Sequence, residues 1–201
     1  MSAKKKSKLI FRLIILLVLI LSSAFAYFTF FKPNIYLDGK KYKFIYIPSK
    51  ASYEEMIEML EEENILENKK TFEWLSKAYN LADNFKPGKY RVIAGMSNRQ
   101  LINLIKSGKQ EPVKLTFNSS DRTPADLTAK ISEKLEISES EMETFFENET
   151  PLRQKYNLTE ESIRCLFLPE TYELFWNTPL PELMTNIEDT YNKLWNNSRK
   201  Q

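Results

Sequence analysis

The sequence predicts an α+β protein carried on one N-terminal transmembrane helix, with short strands in its first half and mostly helix in its second. Three observations support this. The stretch 9–31 holds a single charge, Arg12. Apolar and polar residues alternate around Tyr42–Tyr46 and over Val113–Phe117, the period of a strand with one covered face. Ser52, Ser97 and Ser138 each stand three residues before Glu55, Gln100 and Glu141, just ahead of apolar residues at helical spacing. That pairing is the signature of a helix start, because each side chain satisfies a backbone N–H left free by the first turn.

The elements follow in order. Residues 1–8 read as a short cytoplasmic tail, since Lys4, Lys5, Lys6 and Lys8 precede the apolar run and basic residues stay on the cytoplasmic side. Residues 9–31 read as the transmembrane helix. Its uncharged part, Leu13–Phe31, would be roughly 28 Å long, close to the thickness of a bilayer core. Tyr27, Phe28, Phe30 and Phe31 form an aromatic belt at its exit, and Lys32-Pro33 ends it. Ala24-Phe25-Ala26 resembles a signal-peptidase site, so a cleaved leader is the alternative. The apolar run continues through Tyr27 to Phe31, which favours a retained anchor. Either way the remainder is expected outside the cytoplasm.

Residues 32–41 read as a linker. A strand follows, ending at Pro48, and Ser52 opens a helix with Met56, Ile57, Met59 and Leu60 on its apolar face. A second helix carries Phe72, Leu75 and Tyr79, with Trp74 and Ala78 beside them, a pattern that fits core packing. Lys86-Pro87-Gly88 marks a turn into a strand over Lys89–Ile93. Ser97 opens a helix with Leu101, Ile102, Leu104 and Ile105 inward, and Gly108 closes it. Val113, Leu115 and Phe117 alternate as another strand. Asn118–Arg122 is polar and reads as a boundary. Beyond it, Thr123-Pro124 opens a helix with Leu127, Ile131 and Leu135, and Ser138 opens one with Met142, Phe145 and Phe146. A short helix is expected at Pro151–Tyr156, extended chain with a turn over Phe167–Thr178, and a last helix carrying Leu183, Ile187, Tyr191, Leu194 and Trp195.

Composition excludes much chemistry. The 201 residues include 29 basic and 27 acidic side chains, a net charge of +2, and that near balance argues against a dedicated nucleic-acid surface. There is no histidine, which removes Ser-His-Asp and Cys-His nucleophiles and histidine-based zinc sites. The single cysteine, Cys165, cannot form an internal disulfide, and its apolar neighbours predict a small buried hydrophobe. The four glycines are scattered and form no phosphate-cradling loop. No cofactor or metal is implied. Acid and base chemistry is left to Asp, Glu, Lys or Tyr.

The strand-helix-helix-strand order from Tyr42 to Ile93 resembles the layout of a small glycan-binding LysM module, so residues 42–117 are expected to form a LysM-like α+β subdomain. Two stretches carry a more specific resemblance. One is Lys86-Pro87-Gly88-Lys89-Tyr90-Arg91-Val92 with Gly95-Met96-Ser97-Asn98-Arg99-Gln100-Leu101 and Gln110-Glu111-Pro112-Val113-Lys114-Leu115. The other is Phe167-Leu168-Pro169-Glu170-Thr171-Tyr172-Glu173 with Trp176-Asn177-Thr178. Behind a single anchor, they resemble the MltG-type endolytic murein transglycosylases, also called the YceG-like family.

That resemblance implies a bacterial inner-membrane protein facing the peptidoglycan, with glycan strands as substrate and cell-wall synthases as candidate partners. It implies non-hydrolytic cleavage between N-acetylmuramic acid and N-acetylglucosamine. A glutamic acid would protonate the leaving oxygen and the muramic acid 6-hydroxyl would close onto C1. This differs from glycosidases that use two carboxylates, and one raised-pKa acid can serve in turn as acid and base. It further implies that the catalytic glutamate lies in a segment of the type A-S-I-x-E-x-E-T. No such segment occurs between Met1 and Gln201. The stretch 123–201 is therefore expected to be the N-terminal part of a catalytic domain, and the chain alone is expected to be inactive. Arg164-Cys165 stands where many members have Glu-Gly, and Glu170 where many have Asp.

Glu170, Thr171, Tyr172, Trp176 and Asn177 are the residues carried over as candidates to line the substrate cleft. Structural roles stay open for them: Pro169 and Tyr172 could fix a turn, Trp176 could pack, and Asn177-Thr178 could cap the next helix. Two other readings of the chain stand beside the lyase. One is a non-enzymatic tethered module that binds glycan or a synthase, and the other an anchored protein with no glycan role. Phe145, Phe146, Phe167, Phe175 and Trp195 are expected to contribute to an exposed apolar patch, making the region after Arg122 the less stable half.

Overall fold

A computed structural model of the chain describes residues 3–121, 123–148, 151–159 and 162–195. Arg122 and the C-terminal stretch 196–201 lie outside the described residues, as does the side chain of Phe28 in the expected belt. The fold is α+β, with one long N-terminal helix and two separate two-stranded sheets.

Helix α1 (Ala3–Phe30) runs for 28 residues. Within it, Ile10–Tyr27 is long and apolar enough to cross a membrane, and every side chain of that window is exposed. Leu, Ile and Val fill it without Pro or Gly, so all its backbone polar groups can pair within the helix, which a bilayer core demands. The Ser22 hydroxyl is satisfied the same way, donating to the Leu19 carbonyl at 3.0 Å.

The chain packs as two compact units. The first comprises Met1–Ile45, Ala51–Lys86 and Tyr90–Lys109. The stretch 32–41, expected to be a linker, is instead built into it. Asn34, Ile35 and Leu37 are buried, Ile35 bridges to Leu66 and Pro33 to Ser97. The cause is Asn34, whose side chain behaves as an extra peptide group. Its Nδ2 donates to the Asn68 carbonyl (3.0 Å) and to Asn98 Oδ1 (2.7 Å), and its Oδ1 accepts from the Asn68 N–H (2.8 Å). Asn98, 1% exposed, passes the network on to the Thr71 hydroxyl.

Strands β1 (Tyr42–Ile47) and β2 (Gly88–Ile93) pair in one sheet. On β1 the buried residues are Ile45 and Ile47, so Tyr42 and Tyr46 stand on the outer face. Helices α2 (Tyr53–Glu62), α3 (Lys69–Ala78) and α5 (Asn98–Ser107) each start at a side-chain cap, whereas the single turn α4 (Leu81–Asn84) has none. Ser52 with Glu55 and Ser97 with Gln100 form complete capping boxes, and Gly108 ends α5 at φ 67°. Met56, Leu60, Phe72, Leu75, Tyr90, Leu101 and Ile105 are fully buried. Trp74 departs from the expected core face: it is 49% exposed.

The second unit comprises Tyr46–Lys50, Pro87–Lys89 and Gln110–Gln201. Strand β3 (Val113–Thr116), which the sequence reading groups with residues 42–117, pairs antiparallel with β4 (Thr171–Leu174) in this unit, setting Leu115 opposite Tyr172. Val113 and Leu115 face Leu127 and Ile131 of α6 (Pro124–Lys134) within one core, which explains why the strand sides with the later helices. Thr123 and Asp126 form a capping box and Ser138 caps α7 (Glu139–Glu147); α8 (Pro151–Tyr156) and α9 (Leu180–Leu194) complete the helices. Aromatic rings knit the interior: Phe117 meets Phe167 at 5.4 Å and Tyr172 at 5.8 Å.

Three expectations change here. Cys165 is exposed, because Ile163–Leu166 winds as a single 3-10 turn that sends Ile163 and Leu166 inward and Arg164 and Cys165 outward. Asn177-Thr178 does not cap α9, whose N-cap is Pro179 without a side-chain bond; Thr178 is buried instead. Of the five aromatics expected in an exposed patch, Phe146 and Phe167 are buried, while Phe175 and Trp195 are 50% and 43% exposed.

Candidate functional site

Strand β4 distributes the predicted residues. Successive side chains on a strand point to opposite faces. Tyr172 and Leu174 therefore enter the core, while Thr171 and Glu173 stand outside. The outer pairs match across the sheet: the Thr171 and Thr116 hydroxyls bond at 2.9 Å, and Glu173 meets Lys114 at 3.5 Å. Glu170 is exposed just before the strand. Its carbonyl accepts from Phe117 N–H (3.0 Å) and its carboxylate from the adjacent Thr171 N–H (3.2 Å).

Tyr172 is a core residue. Burial first of all raises its hydroxyl pKa; the Thr190 hydroxyl acts against that and the nearby Glu170 charge adds to it. Thr190 is itself turned to the Asn186 carbonyl at 2.9 Å, and the Tyr172 hydroxyl makes no well-formed hydrogen bond. Trp176 and Asn177 lie past the far end of β4. Four strand residues span roughly 10 Å between the first and last Cα, so Glu170 and Trp176 flank the strand rather than meet.

The other end of β4 is where side chains converge. Trp176 is half-buried and meets the exposed Tyr46 ring edge-on at 5.2 Å. The Lys89 ammonium lies over that Tyr46 ring, 5.8 Å from its centre. The Trp176 carbonyl accepts from Glu136 N–H at 2.8 Å. The Glu136 carboxylate holds Ser49, accepting its backbone N–H at 2.7 Å and its hydroxyl as well. Asn177 Nδ2 reaches the Pro87 carbonyl at 3.5 Å.

Gly88 is needed beside it. Its φ is 137°, and a Cβ there would stand 2.2 Å from Gln110 Oε1, which accepts from Lys89 N–H at 3.3 Å. The site thus joins two aromatic rings, one cation, a carboxylate and an amide. Such a set can hold a polyhydroxylated ring through C–H contact with the aromatics and hydrogen bonds at the rim.

The predicted residues are therefore not brought to one point. Trp176 and Asn177 share this cluster; Thr171 and Glu170 are at the other end of β4, and Tyr172 is inside. Sequence reasoning missed Tyr46, Lys89, Glu136 and Ser49 as neighbours of Trp176. The alternation of β1 placed Tyr46 opposite Ile45 and Ile47, and that was the one available signal. Among the described residues, each carboxyl group with a displaced pKa is displaced downward by a hydrogen-bonding partner: Glu55 by Ser52, Asp121 by Lys130, Glu133 by Lys134 and Glu188 by Lys155.

One N-terminal helix long and apolar enough to cross a membrane, followed by compact α+β units, is the architecture that the described residues define. The chain belongs to the YceG-like family, whose model matches residues 45–201. A crystal structure of a yceG-like protein from Listeria monocytogenes is similar at 16% identity and a TM-score of 0.37, over 81% of this chain. The chain spans 58% of that chain's length. No curated protein matches it.

Proposed function

We propose that this chain is the membrane-anchored, strand-holding part of an endolytic peptidoglycan lytic transglycosylase. The whole protein would cleave nascent glycan strands between N-acetylmuramic acid and N-acetylglucosamine, leave 1,6-anhydromuramyl ends and so stop elongation. Membership of the YceG-like family over residues 45–201 is the observation that carries this reading. The cluster around Trp176 supports it, because paired aromatics with a cation suit a glycan bearing carboxylates. Trp176, Asn177, Tyr46 and Lys89 are the proposed strand contacts, with Glu170 and Thr171 as further candidate contacts at the other end of β4 and Tyr172 bracing that strand from the core. The stretch 42–117, which opens with the order β1, α2, α3, α4, β2, is proposed to act as a LysM-like glycan module. The anchor would sit in the cytoplasmic membrane, with Lys4–Lys8 inside.

An acid that protonates a leaving oxygen must hold its proton near neutral pH, which calls for a raised pKa. Among the described residues, Glu55, Asp121, Glu133 and Glu188 move the other way. A tethered module that binds glycan or a synthase without cleaving it is a second reading, and the aromatic and cationic cluster of Trp176, Tyr46 and Lys89 supports it equally. Co-sedimentation of the detergent-solubilised chain with purified glycan strands tests the proposed contacts. Loss of one stacked ring at about 1.4 kcal/mol would weaken binding roughly tenfold. W176A and Y46A should each show such a loss, and unchanged binding in both would remove the cluster from the strand path.

A further inference from the structure

We infer that the exposed face of α3 is a membrane-surface anchor, with Trp74 seated in the headgroup layer of the same bilayer that holds α1. The inference rests on reading α1 as a membrane helix and says nothing of glycan. Trp74 is 49% exposed on a soluble helix, yet its ring meets Phe25 at 5.6 Å and Phe30 at 6.3 Å. Tyr79, next to the end of α3, meets Phe30 at 6.4 Å.

Phe25 lies inside the membrane-length window Ile10–Tyr27, and two residues of helix rise amount to about 3 Å. The polar layer outside a bilayer core is only about 5–7 Å thick on each side. A ring touching Phe25 cannot then stand clear of the membrane: wherever the bilayer holds Phe25, it holds Trp74 at headgroup depth. Trp is the side chain best suited to that depth, apolar in body with one N–H for the polar layer.

The neighbours of Trp74 agree. Lys70 and Lys77, at four and three residues from it, are exposed on the same face of α3. A tryptophan between lysines suits an anionic lipid surface. Tyr27 on α1 and Phe31 just past its end, 61% and 60% exposed, extend the aromatic collar.

The test uses the full chain with Trp176→Phe and Trp195→Phe, leaving Trp74 as its one tryptophan, in vesicles of phosphatidylglycerol and phosphatidylcholine. Alkaline extraction first establishes that α1 is inserted. Lipids brominated near the headgroup should then quench Trp74 strongly, lipids brominated deep in the chains less, and aqueous iodide least. A matching chain that keeps only Trp176 should show the reverse order. K70E together with K77E should raise iodide quenching of Trp74. If α1 is inserted and iodide reaches Trp74 as readily as Trp176, the inference is overturned while the anchor stands. If α1 is extracted by alkali, the anchor reading fails and the inference with it.

Discussion

The Glu136 carboxylate clasps Ser49, a residue 87 positions earlier, through the Ser49 backbone N–H at 2.7 Å and the Ser49 hydroxyl. The backbone N–H of the same Glu136 donates to the Trp176 carbonyl at 2.8 Å. One residue between α6 and α7 thus holds the chain leaving β1 and the chain leaving β4, and so fixes the Tyr46 and Trp176 rings that pack at 5.2 Å. E136A should destabilise the second unit by about 0.5–1.5 kcal/mol, because two solvent-exposed donors at Ser49 lose a charged acceptor that water replaces in part. E136Q should fall between E136A and the parent. Urea unfolding followed by tryptophan emission checks the order, and equal stability of all three would show the clasp to be idle.

The buried asparagines predict a similar cost in the first unit. N98A removes the acceptor of Asn34 Nδ2 and the donor to Thr71. A buried group left unpaired costs about 1–3 kcal/mol. Hydrogen exchange should show the amides of the stretch 34–37 opening more readily in N98A, with the β3–β4 pair unaffected.

At Gly88 two effects can be separated. A methyl group would collide with the flexible Gln110 side chain, and φ 137° is strained for any L side chain. G88A should lose about 1–3 kcal/mol. In G88A with Q110A the collision is gone but the backbone strain remains, so stability should recover only in part. Full recovery, measured by thermal unfolding against Q110A alone, would mean that the strain is negligible.

The alkaline limb of stability should report Tyr90. It is fully buried and donates to the Lys86 carbonyl at 2.7 Å, and burial pushes its pKa from 10.0 up to about 12. Because the folded value is the higher one, the folded state favours the protonated phenol. Its contribution is whole below pH 10.0 and is lost as pH rises toward about 12. Y90F should flatten this loss, which urea unfolding at a series of alkaline pH values would detect.

Asp121 should act in the opposite direction. Its pKa is held down first by the hydrogen bond from Lys130 and then by that from the Asn118 N–H. A lowered folded value means a contribution that is present above the unfolded pKa of 3.8 and lost as pH falls through the folded one. K130M should reduce the acid-side loss of stability, and an acid titration of the two proteins by circular dichroism compares them.

Local chemistry made much of this fold legible. Ser52, Ser97, Thr123 and Ser138 open the helices they were expected to open, and Gly108 closes α5, because caps act over three or four residues. The features that escaped depend on distant parts of the chain. Alternation identified β3 as a strand, but its partner β4 lies more than fifty residues on and no local signal names it. The apolar run around Cys165 suggested burial, yet its winding decides which side chains turn inward. Asn34 gave no sign that it would be buried, since a polar residue after Pro33 looks like linker until Asn68 and Asn98 are in place. At the candidate site Trp176 and Asn177 were visible through a family-like motif. Their neighbours Tyr46, Lys89 and Glu136 were not, because only the tertiary fold brings them together.

The central claim is that residues 1–201 hold peptidoglycan strands for a lytic transglycosylase. It is tested most directly by incubating the solubilised chain with purified glycan strands, then measuring retention and reading the products by mass spectrometry. Strands should be retained by the chain, less so by W176A, with no 1,6-anhydromuramyl ends formed. Failure to retain strands would contradict the proposed function. Anhydromuramyl ends would contradict the assignment of the stretch as strand-holding alone, and would make the exposed carboxylate of Glu170 the first to replace.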